Sequence, residues 1–98
     1  MNAHSAVEHR KNPRHRVLKE GKIVSLDLGS AIDVMIRDLS ADGARIRMPA
    51  NIDFPGSFGL LVVSEELVYP AKIRWRAGEQ TGLEFVGQPR HASLRKWT

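Results

Sequence analysis

Between Val17 and Val86 the chain is cut into short stretches in which apolar residues tend to recur at every second position. Turn-forming residues separate them at Gly29-Ser30, Ala41-Asp42-Gly43, Pro49 to Gly56, Ser64-Glu65-Glu66 and Gly78-Glu79-Gln80. A period of two gives a strand one dry and one wet face, whereas a helix needs a period of 3.6 held over three turns. The pattern predicts six strands: Val17 to Leu28, bent or bulged at Gly21, then Ile32 to Arg37, Ala44 to Met48, Phe58 to Val63, Leu67 to Arg76 and Gly82 to Val86. Alternation is cleanest where Ala44, Ile46 and Met48 oppose Arg45 and Arg47. In the fifth stretch Ala71, Ile73 and Trp75 oppose Lys72, Arg74 and Arg76, which predicts a dry face carrying Trp75 and a wet face carrying the cations. Six short strands at this spacing fit an antiparallel β-barrel, packed inside and wet outside, better than an open sheet. After Pro89, the run Arg90 to Trp97 has no breaker and predicts a short C-terminal helix, with Leu94 and Trp97 on one face to cap the barrel mouth.

The chain has 98 residues, enough for one domain with one modest core. No apolar run approaches the ~20 residues of a membrane helix, and the first residues lack a secretory signal. Cysteine is absent, which excludes a disulfide framework, a zinc ribbon and a thiol nucleophile. A cytoplasmic, non-membrane protein is the expectation.

Charge is concentrated at one end. Residues 1–22 hold six cations (Arg10, Lys11, Arg14, Arg16, Lys19, Lys22) and two acids (Glu8, Glu20), while the rest of the chain holds nine of each, so the net charge of +4 belongs to the N-terminal segment. Residues 1–16 show no periodicity, and Pro13 forbids a helix through their middle. They read as a flexible basic arm ahead of a barrel spanning 17–98. Such an arm suits an anionic partner held at one place, or a solvated tail that only aids solubility.

Two short motifs lie near this junction. Arg10-Lys11-Asn12-Pro13-Arg14 is an Arg-x-x-x-Arg in the arm, and Asp38-Leu39-Ser40-Ala41-Asp42-Gly43 is an Asp-x-Ser-x-x-Gly between the second and third strands. Taken alone, the second describes a turn closed by an Asx- or Ser-type hydrogen bond. In this order, before and within a barrel, the pair resembles the PilZ family. The resemblance extends through Trp75 to Gly82-Leu83-Glu84-Phe85.

The resemblance implies a six-stranded PilZ-type barrel and a bacterial second-messenger receptor for cyclic di-GMP, with Arg10 and Arg14 on base and phosphate, Asp38 and Ser40 on guanine, and Gly43 at the turn. The chemistry agrees. A guanidinium fork matches the O6/N7 pair of guanine and also grips phosphate. A carboxylate accepts from the opposite guanine edge, and a hydroxyl donates or accepts. A glycine permits a positive φ and leaves room for a base. The receptor reading includes an unnamed downstream protein partner. Its main rival is a PilZ-like interaction domain that binds no nucleotide. A barrel binding nucleic acid through the arm is not expected, because no aromatics interleave with the arm's cations. His4, His9, His15 and His91 lack metal-ligand spacing, and no acid–base pair or phosphate loop suggests an enzyme. No cofactor or metal is expected.

Overall fold

The computed structural model describes residues 15–25, 30–54 and 56–92. Among the described residues seven strands are formed: β1 (His15–Ser25), β2 (Ala31–Leu39), β3 (Gly43–Arg47), β4 (Phe58–Val62), β5 (Leu67–Ala77), β6 (Gln80–Phe85) and β7 (Arg90–His91). Every pairing is antiparallel, in the order β4-β1-β2-β3-β6-β5, and β5 pairs back onto β4. The result is the expected closed six-stranded barrel, in which closure removes most of the exposed sheet edges.

Alternation fills the interior. Ile23, Val34, Ile36, Ala44, Ile46, Leu60, Val62, Ala71 and Leu83 form the buried core with Met48 and Phe58. Their outward neighbours Val24, Leu61 and Val68 form a second apolar cluster on the β1–β4–β5 wall, against which Val63 and Ala92 pack. At one mouth Arg76 lies 5.0 Å over the Phe54 ring and donates to the carbonyls of Ala50 (3.1 Å) and Ile52 (2.7 Å), fastening the β3–β4 loop.

The hairpins follow local chemistry. Ser64 and Glu65 lie in a 3₁₀ turn, Val63–Glu65, which Glu66 closes in the left-handed region (φ 55°). Gly78 has φ 59°, and Ala77 pairs directly with Gln80, so the two-residue β5–β6 loop needs glycine at its first position.

Four sequence expectations are corrected. The C-terminal helix does not begin at Arg90: Arg90–His91 is a strand paired with Leu67 and Val68, and the Ala92 N–H donates to the Glu66 carbonyl at 2.9 Å. The edge of β5 opposite β4 is open there, and the main chain satisfies it. The remainder of that segment, 93–98, lies outside the described residues. Gly21 is not a bulge. It pairs in regular register with Val34, and a Cβ there would stand 2.8 Å from Ile36 Cδ1, so its smallness serves inward packing. The irregularity in β1 falls instead between Arg16 and Lys19. Strand β1 itself begins at His15, two residues inside the segment read as arm; residues 1–14 lie outside the described residues.

The fourth correction concerns β5. Ile73 pairs with Leu83 and Trp75 with Gly82, so β5 advances two residues where β6 advances one. This bulge at Arg74 reverses the alternation beyond it. Arg76 now opposes the buried Thr81 and turns toward the barrel mouth, while Trp75 moves to the outer face. The single dry face of Ala71, Ile73 and Trp75 does not exist.

Candidate functional site on the outer face of the barrel

Two further register shifts define the site. Between Ile36 and Asp38, β2 advances two residues while β3 advances one, from Ile46 to Arg45. Ile36 and Ile46 point into the core, so regular alternation would drive Asp38 into the core as well. The extra residue, Arg37, puts Asp38 opposite Arg45 on the outer face instead. The shift in β1 keeps Arg16 opposite Asp38. Reading across the sheet, Arg16, Asp38, Arg45, Gly82 and Trp75 occupy one continuous row. Each of the three bulges adjoins this row, a usual place for bulges that re-aim side chains.

Asp38 is only 6% exposed. Arg45 Nε donates to its Oδ2 at 2.6 Å, and Arg45 Nη1 donates to Gln80 Oε1 at 2.6 Å. The guanidinium is thus held at both ends, and the carboxylate is neutralised where it leaves water. One strand further on, Gly82 contributes no side chain, and the Trp75 indole lies over it. A Cβ at Gly82 would collide with Trp75 Nε1. Because neighbouring strands lie ~4.8 Å apart, this overlap brings a flat aromatic ring within one strand of the Arg45 position. At 43% exposed, the ring is open to solvent.

The turn beside the row is built by Ser40 and Gly43. The Ser40 N–H donates to the Gly43 carbonyl at 2.9 Å, and Ser40 Oγ accepts from the N–H groups of Asp42 (3.2 Å) and Gly43 (3.3 Å). Ser40 therefore does the work of a Ser-type turn. Asp38 does not; it answers to Arg45. The Asp42 carbonyl accepts from the Phe85 N–H at 2.8 Å and seats the turn on β6. Gly43 has no positive φ, contrary to the reason inferred for it from sequence. A Cβ there would strike the Leu83 carbonyl oxygen, so glycine is required by the close approach of β3 to β6.

The structure accordingly brings Asp38, Ser40 and Gly43 together at one end of the β2–β3 hairpin. Arg10 and Arg14 lie outside the described residues. Their sequence neighbour His15 pairs with Leu39, so the described chain begins beside the turn. Sequence reasoning missed Arg45, Gln80 and Gly82 and misplaced Trp75. The only available signal was the position of Arg45 two residues beyond Gly43, which acquires meaning once the β2 bulge is seen. Among the described residues no group of three or more His, Asp or Glu could hold a metal ion. No helix among them is long and apolar enough to cross a membrane.

A closed antiparallel barrel with Asp38 paired to Arg45 on its outer face places the chain among small all-β barrel domains. Comparison with family models carries this further: the PilZ domain model matches residues 8–97, nearly the whole chain. The protein belongs to the PilZ family, a family of binding domains associated with cyclic di-GMP. No curated protein matches the sequence.

Proposed function

We propose that this chain is a cytoplasmic bacterial receptor for cyclic di-GMP, which lies along the outer row while Arg10 and Arg14 of the arm close over it. The observation that carries the reading is the bulge at Arg37, which places Asp38 outward, beside the Ser40 turn and opposite the start of β1. In this reading Asp38 accepts from a guanine edge, the two arm arginines take base and phosphate, and the Trp75 face is available for stacking. A good bidentate Arg–guanine contact contributes ~1–3 kcal/mol. Two of these with a carboxylate contact and stacking sum to roughly 4–12 kcal/mol, so after ~2–5 kcal/mol for ordering the arm the ~8 kcal/mol of micromolar binding needs each contact near the strong end of its range. Ligand-dependent ordering of the arm would then present a new surface to a downstream protein.

Calorimetric titration with cyclic di-GMP, against GMP and cyclic di-AMP, tests the reading. Heat is expected with cyclic di-GMP alone, together with a change in tryptophan fluorescence that persists in Trp97→Phe, and none with Arg14→Ala. Backbone relaxation that is identical with and without ligand across residues 8–14 would reject the ordering step. A second reading has support of its own: Asp38 and Ser40 already have internal partners, so turn and ion pair are complete without a nucleotide, as in a PilZ-like protein-interaction domain. A folded wild-type chain that gives no heat would count against the receptor and favour that alternative.

A further inference from the structure

We propose that the second half of β5, Lys72 to Ala77, is a docking edge for an extended acidic segment of a partner protein. Strand β4 accompanies β5 only from Leu67 to Ala71. Beyond that point β5 runs on with β6 on one side and, among the described residues, no strand on the other, and all six residues are exposed. Main-chain N–H and C=O groups along such an edge are ready to pair with another chain. Ile73 (39% exposed) and Trp75 supply apolar surface on its two faces.

Charge selects the occupant. Among the described residues Arg74 makes no ion pair, and Arg76 bonds only carbonyls and a ring, so it keeps its charge. Lys72 alone has a carboxylate nearby, Glu84 at 3.7 Å. A second copy of β5 pairing about a twofold at Arg74 would set Arg74 against Arg74 and Lys72 against Arg76. Like charges directly opposite each other are destabilising. A strand with acidic residues at those positions converts each repulsion into an attraction. The main-chain edge and its cations do not depend on nucleotide binding; only Trp75 is shared with the proposed nucleotide site.

The test is an amide NMR titration of the full chain with a short peptide alternating valine and glutamate. Controls are the valine–lysine analogue and an N-methylated acidic peptide that cannot pair as a strand. Shifts and slowed hydrogen exchange at residues 72–77 are expected with the acidic peptide only. Arg74→Glu, checked for folding by circular dichroism, should weaken the acidic peptide at least tenfold and favour the lysine analogue. Unmoved amides at 72–77, equal binding of the N-methylated peptide, or self-association of the free chain through these amides would each overturn the proposal.

Discussion

Replacing Arg45 with alanine tests how the outer row is held together. Its Nε lies 2.6 Å from Asp38 Oδ2, and the two side chains are unequally buried, the Asp38 side chain almost fully and that of Arg45 only in part. Charge centres ~4 Å apart attract by ~4 kcal/mol at an effective dielectric constant of ~20. Part of that is offset by desolvation of the carboxylate, a cost set by the fold that persists when the arginine is removed. Arg45→Ala leaves a buried, unpaired carboxylate and should cost about 2–3 kcal/mol. Asp38→Ala leaves a guanidinium that water can reach and should cost only ~1 kcal/mol. In the double variant the unpaired carboxylate is gone, so its stability should fall within ~0.5 kcal/mol of Asp38→Ala. Urea unfolding of the four proteins measures all of this. Equal costs for the two single variants would refute the reasoning.

Other consequences follow from the same geometry. Gly43→Ala drives a Cβ into the Leu83 carbonyl and should cost about 1–3 kcal/mol in urea unfolding, even though no positive φ is involved. Arg76→Ala removes the fastening of the β3–β4 loop, so the Ile52 amide, bonded to the Pro49 carbonyl at 3.3 Å, should exchange faster than in the wild type. Tyr69, the single tyrosine, has its phenol pushed above 10.0, first by burial and then by the Glu65 carboxylate beside it. The folded state thus holds this proton more tightly than the unfolded chain. Its contribution is present below about pH 10 and is lost as pH rises through the folded value, which absorbance titration near 295 nm should show against the unfolded chain.

Much of the barrel was legible because its causes are local. Alternation in Ala44 to Met48 requires only that one face be dry, and Gly78 marks a turn whatever surrounds it. The Asp-x-Ser-x-x-Gly turn was legible for the same reason: Ser40 bonds to main chain within three residues of itself. The C-terminal run failed because a free sheet edge near Leu67, remote in sequence, offered Arg90 and His91 better main-chain partners than a helix would.

The amino-acid sequence alone determined the six strands, the turns between them and the motif that carries the family resemblance. Only the tertiary structure decided which way Asp38, Arg45 and Trp75 face. A bulge is a mismatch in count between two paired strands, so it belongs to neither strand's own pattern. One unpaired residue, Arg37 or Arg74, reverses every orientation beyond it.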